Sequence, residues 1–220
     1  MTKLVTPTET PTTFFLPLRD VLAVWNATSS EKTRYYLNGV YVEQHDRDGI
    51  QIVATDGHIL LRKTCAPEAF IGADVTTQST ETERGFILAF DTTDKACKVK
   101  SVGEAWIYGD IETGIIQVLD VRPPVKDGYR RLGVVEFDRI DGTFPDWRCV
   151  LPRVTPGEGV GPVCCDLALL AAFQRASKVF GGKPWVRITP AEPDAPMLVE
   201  FGSACEGMTG VLMPARWANC

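Results

Sequence analysis

The sequence predicts an α+β fold in which a helix-plus-strands unit occurs about three times. Short runs rich in β-branched and aromatic residues, each bounded by turn formers, recur along the chain and read as strands. Only three stretches carry a helical signature, and the order of helix followed by strands recurs over 14–65, 86–150 and 163–217. The three units share an order of elements rather than letters. One helix to each run of antiparallel strands gathers the helices on one face of the sheets.

Residues 1–13 hold threonines and prolines without an apolar period and predict a flexible tail. LPLRDVLAVWNAT (16–28) places Leu18, Val21, Leu22 and Trp25 on one stripe, a helix with Pro17 in its first turn. TRYYLNGVYVE and IQIVATDGHILLRK read as strands separated by a DRDG turn, and 64–85 as connection with room for a short strand. FILAF (86–90) is strand-like. DTTDKACKVKSVG (91–103) reads as a short helix capped by Asp91 or Thr92. EAWIYGD, GIIQVLD and LGVVEFDRI follow as strands, then the extended GTFPDWRCVLPR (142–153) and a Gly/Pro linker at 154–162. Asp166 is placed to cap a helix over LALLAAFQRASKVF, with Gly181 as its stop, before strands WVRIT, MLVEF and MTGVLMP.

With 45% hydrophobic and 23% charged residues, the composition excludes a disordered chain. No apolar run reaches the ~18 residues of a membrane span, and no signal-peptide core opens the chain. An odd set of seven irregularly spaced cysteines fits reduced thiols, so the expectation is a cytoplasmic protein without membrane association. The net charge of −5 argues against nucleic acid, but its distribution does not. Windows 95–103 and 167–190 hold seven basic residues and no acid; outside them 16 basic residues face 28 acidic ones. Such segregation is either a basic surface on an acidic body or two solvated faces that lack acids.

Catalytic signatures fare poorly. Two histidines, His45 and His58, cannot build a histidine-rich metal site or relay. No CxxC, HExxH, G-x-S-x-G or Gly-Lys-Ser/Thr phosphate loop occurs, and the adjacent Cys164 and Cys165 are poorly placed to chelate together. Cys164 and Cys165 read as the small apolar start of a buried segment. The expectation is therefore no enzyme, no catalytic residues, no metal and no cofactor. A thiol of lowered pKa beside His58 is what a cysteine-dependent enzyme would need.

Three strings remain: VATDGHILL (53–61), FPDWRCVLP (144–152) and VLMPARW (211–217). Together with RYYLNGVYVE they resemble the bacterial DNA sliding clamp, the beta subunit of DNA polymerase III. That family has R-Y-Y-L-N-G before V-A-T-D-G-H-R-L, then D-G-x-F-P-D-Y-R-R-V-L-P, and a V-x-M-P-M-R-L ending. The resemblance runs in register over most of 14–217. It implies the DNA clamp fold, with 14–153 as one full clamp domain, similar to the family's middle domain. Residues 163–220 would be a partial domain similar to the second half of its last one; the other parts of the family's subunit find no counterpart.

The resemblance further implies a peptide-binding pocket built from Thr55, Gly57, His58, Leu60, Pro145, Val150, Val211, Met213, Pro214 and Arg216. An apolar lining with a few polar groups suits peptide anchors, and methionine suits several partners. Each string also has a plainer reading: Asp56-Gly57 as a turn, His58 as a half-buried histidine, Met213-Pro214 as a strand end. Departures from the family stand at Ile59, Cys149 and Ala215 and predict a different peptide preference. The DNA-facing helices would carry Arg19, Lys95, Lys98, Lys100, Arg175 and Lys178, contacting double-stranded DNA without sequence preference. The implied function is a processivity factor that binds the clamp-binding peptides of a DNA polymerase, a clamp loader or other DNA-metabolism proteins. It would encircle DNA as a homo-oligomer. The alternative is a non-encircling adaptor or competitor that binds only those peptides.

Overall fold

The computed structural model describes residues 13–45, 49–72, 77–78, 84–98, 105–120, 129–153, 163–181, 183, 185–192 and 194–215. Residues 1–12 of the expected tail, the linker at 154–162, Lys100 and Arg216 lie outside them, while Thr13 belongs to a strand and not to the tail.

Chain order is β1 (Thr13–Pro17), α1 (Leu18–Val24), β2 (Val40–His45), β3 (Gly49–Thr55), β4 (Ile59–Thr64), β5 (Phe70–Ile71) and β6 (Thr77–Gln78). Then come β7 (Arg84–Phe90), β8 (Ala105–Asp110), β9 (Ile115–Asp120), β10 (Arg130–Ile140), α2 (Leu167–Val179), β11 (Val186–Pro190), β12 (Met197–Phe201) and β13 (Met208–Leu212). The strands form one antiparallel sheet in the order β11-β12-β13-β4-β3-β2-β7-β10-β9-β8-β1-β5, with β6 beside β7. The third unit therefore extends the first: β13 pairs with β4, Val211 opposite Leu60 and Leu212 opposite Ile59. Strand β10 serves two neighbours, β9 through 130–136 and β7 through 137–140.

Alternation along the strands decides which side chains enter the main core. Ile52, Ala54, Ile59, Leu61, Val199 and Leu212 face α1 and α2 and join Leu18, Val21, Phe173 and Ala176 in one buried cluster. Each of the valine, leucine, isoleucine and phenylalanine side chains among them contributes ~1.5–3 kcal/mol on burial. Helix α2 follows its sequence signals: Asp166 accepts a hydrogen bond from the Ala168 N–H at 2.7 Å, and Gly181 takes φ +70° beyond its end.

Four expectations are corrected. The first helix starts at Leu18, because the residue before a proline is pushed to extended backbone; Leu16 and Pro17 complete β1. RYYLN is not strand: Tyr35–Leu37 is a 3-10 turn, and pairing begins at Val40. The helix expected at 91–103 is, among the described residues, a single 3-10 turn, Lys95–Cys97, capped by Asp94. Asp91 instead accepts hydrogen bonds from the Thr93 N–H and hydroxyl at 2.8 and 2.6 Å, local bonds that compete with a helical start. Finally, the extended 142–153 contains the 3-10 turn Trp147–Val150, capped by Asp146.

Candidate functional site

The three strings converge on the sheet face opposite the helices. Val53 and Leu60 from the first, Phe144, Trp147 and Leu151 from the second and Val211 from the third form a second apolar cluster, completed by Leu37, Tyr36, Tyr41 and Ile87. Leu60 and Val211, cross-strand partners exposed by 3% and 2%, form its floor. Met213, exposed by 37%, is joined to the first string by its N–H, which donates to the His58 carbonyl at 2.9 Å. Val150 is exposed by 39%, and Pro145, Gly57 and His58 are exposed; Thr55 and Pro214 are half-buried.

The tight 55–59 turn is held by its own side chains. The Asp56 carboxylate accepts from the His58 and Ile59 N–H groups at 2.8 and 2.9 Å. The Thr55 hydroxyl donates to the Ile59 carbonyl at 2.6 Å and accepts from the Gly57 N–H at 3.1 Å. Gly57 has φ +92°, and a Cβ there would lie 2.6 Å from Arg34 Nη1. Arg34 itself is held by both carboxylate oxygens of Glu31, each at 2.8 Å.

Residues 144–151 act as a clasp over this face. The Arg148 guanidinium pairs with Glu43, a carboxylate on β2 whose side chain is 2% exposed. Its carbon also sits 4.4 Å from the Trp147 ring centroid, with Arg62 at 5.7 Å. Phe144 stacks on Tyr41 at 4.8 Å with the rings 4° apart. Trp147, Arg148, Glu43, Phe144 and Leu37 were not among the residues expected at the site. Their signal lies in the strings themselves, since RYYLNGVYVE carries Leu37 and Glu43 and FPDWRCVLP carries Phe144, Trp147 and Arg148, but an extended reading of those strings hides the fold-back.

The basic residues divide differently. Arg175 and Lys178 lie exposed on α2, and the Arg175 Nε–H donates to Asn26 Oδ1 at 3.2 Å, next to α1. Arg19 is engaged: its guanidinium lies 4.9 Å over the Phe180 ring, and its Nε is 3.8 Å from the Asp20 carboxylate. Lys95 and Lys98 are exposed on and beside the 3-10 turn whose Cys97 enters the main core. Asp20 is buried 3.5 Å from the equally sequestered Lys63; burial raises its pKa, and Lys63 pulls it back. Thiol chemistry finds little support. Burial raises Cys65 and holds Cys97 at about 11, and the Cys149 thiol is raised by its hydrogen bond to Asp146. Among the described residues no group of His, Cys, Asp and Glu is placed to hold a metal ion.

No protein-family model matches the chain. Over 132 residues it is 35% identical to the beta sliding clamp of Caulobacter vibrioides (strain NA1000 / CB15N), a stretch covering 58% of this chain and 30% of that protein. A DnaN sliding clamp (DNA polymerase III subunit beta) from Bartonella birtlesii superposes with TM-score 0.55 at 20% identity, covering 97% of this chain and 69% of that one. The DNA polymerase III beta subunit of Thermotoga maritima gives 0.53 at 15% identity, covering 97% and 68%. The fold is the DNA clamp fold. A C. crescentus beta sliding clamp, at TM-score 0.53 and 18% identity, covers 98% of this chain and 68% of that one. The chain is thus similar to bacterial sliding clamps in sequence and in fold, while its match spans less than a third of the curated relative's length. Within the clamp fold, α1 and α2 lie on one side of the sheet and the converging strings on the other.

Proposed function

We propose that this chain is a sliding-clamp-like processivity factor, non-enzymatic and cytoplasmic. It binds the clamp-binding peptides of a DNA polymerase, clamp loader or other DNA-metabolism protein on the face formed by the three strings. The observation that carries this is the shared cluster of Leu60, Trp147 and Val211, a buried floor edged by exposed Met213 and Val150. A buried apolar floor with an open rim is what a short peptide's anchor residues require. Residues 14–153 act as one full clamp domain and 163–220 as a partial one. Arg175, Lys178, Lys95 and Lys98 supply sequence-independent phosphate contacts, and copies of the chain assemble into a ring around double-stranded DNA.

The adaptor reading has its own observation. The lining is thinned where a 3-10 turn stands in place of the second helix and where Arg19 is held by Phe180 and Asp20. Light scattering on the eluting protein, followed by binding to circular and linear duplex of equal length, separates the two. A discrete oligomer retained on the circle and lost from the linear duplex is the expected result. A monomer that binds the peptide and neither DNA would establish the adaptor instead.

A further inference from the structure

The β1–β8–β9 half of the sheet carries a second concavity on its own outer face, made from residues that the peptide pocket does not use. Phe15 on β1 is its floor, 8% exposed and stacked on Trp106 at 4.5 Å. Two further rings lie against Phe15: Phe70 at 5.8 Å and Tyr129 at 5.9 Å, exposed by 43% and 60%. With Tyr108, Leu119 and Arg131 they line a cavity of about 630 Å³, within the ~300–1,000 Å³ of ligand pockets. Strand register builds it. Phe70, Phe15 and Tyr108 are successive cross-strand partners on β5, β1 and β8, and Leu119 on β9 faces Arg131 on β10.

The charge of the lining selects the ligand. Among the described residues that line it, Arg131 is the one charged side chain, and no carboxylate joins it there. Neighbouring Arg130 is committed to Asp120 at 3.0 Å, whereas Arg131 has no ion pair among the described residues. A cradle of aromatic rings alone favours a cation, but a guanidinium in the wall repels one. A nucleic acid strand needs a continuous basic track beside its stacking rings. The far ends of these strands offer the opposite, Asp110 and Glu136 flanking Ile115. An aromatic side chain next to a carboxylate satisfies both the rings and the arginine.

We propose that this cradle docks an acidic peptide segment through an aromatic anchor, with Arg131 as the residue that sets the charge preference. The test is a titration of the full chain with acetyl-Glu-Phe-Glu-Phe-amide and, separately, acetyl-Lys-Phe-Lys-Phe-amide, followed by backbone amide NMR shifts. The acidic peptide is expected to bind saturably, about tenfold more tightly than the basic one, with shifts on β1, β8 and β9. Arg131→Glu should reverse that order, and Arg131→Gln should abolish the difference without reversing it. Equal affinity for the two peptides, shifts confined to 55–60 and 211–214, or tighter binding of an oligothymidylate would each overturn the proposal.

Discussion

The outer surface of the sheet comes in two versions. Over β2, β3, β4 and β13 it is covered: the 144–151 clasp lays Phe144 and Trp147 on Tyr41, Val53, Leu60 and Val211 and is anchored by Arg148 on Glu43. Over β1, β8 and β9 the corresponding surface is an aromatic cradle around Phe15, with Phe70 and Tyr129 exposed. A pleated strand sends alternate side chains away from the helices, and on both surfaces the chain places apolar residues at those positions. Their difference is one of cover: the first face is divided into a buried floor and an exposed rim, the second is left open. In one half the clasp makes that division, and in the other Arg131 stands, among the described residues, as the one charged side chain beside the aromatic rings.

The largest effect should come from dismantling the clasp. Trp147→Ala removes a ring that is 4% exposed and should cost about 3–5 kcal/mol in chemical denaturation. Glu43→Ala removes the buried carboxylate that anchors Arg148 and should cost about 1–3 kcal/mol, whereas Tyr129→Ala on the exposed cradle should leave the midpoint nearly unchanged. If Tyr129→Ala proved as damaging as Trp147→Ala, the contrast between the two faces would fail. Next in size, Gly57→Ala forces a Cβ onto a φ of +92° and against Arg34. A loss of about 1–3 kcal/mol is expected there, to be read from the same unfolding curves.

A smaller effect sharpens the comparison with the helix side. The raised pKa of Asp20 means that the folded state holds its proton more tightly than the unfolded chain does. Its contribution is therefore present below the ordinary value of 3.8 and is lost as pH rises through the higher folded value. Measured against Asp20→Asn, the wild-type advantage should shrink as pH increases above 3.8, and a growing advantage would reverse the assigned sign. The smallest effect belongs to Arg187 and Glu200, exposed partners 3.8 Å apart on β11 and β12. Arg187→Ala should change stability by less than about 0.5 kcal/mol.

The α+β class, strands β7 to β13 and the α2 helix with its cap and its stop were legible, because each rests on a local signal: alternation, a cap, a terminal glycine. Strand β1 was hidden in the tail and the helix start, and IQIVATDGHILLRK read as one strand where β3 and β4 meet at a tight turn. What depends on competition was misjudged. Pro17 pulled Leu16 into a strand, and Asp91 spent its carboxylate on Thr93 in place of a helix start. Leu60 and Val211 were legible as candidate pocket residues only through their strings; that they lie buried side by side with Met213 exposed next to them follows from the β4–β13 register, which no local pattern encodes. The clasp was least legible, because the Arg148–Glu43 pair joins residues 105 apart in sequence.

The pairing of buried floor and exposed rim also fixes how the central claim is best tested. Charging Leu60 would confound binding with folding, whereas Met213 and Val150 are open to solvent. Fluorescence anisotropy of a labelled clamp-binding pentapeptide should therefore be measured with the wild type and with Met213→Glu/Val150→Asp, alongside thermal melts of both. The account predicts saturable binding by the wild type and loss of binding in the double variant at an unchanged melting temperature. A folded double variant that kept wild-type affinity would contradict it.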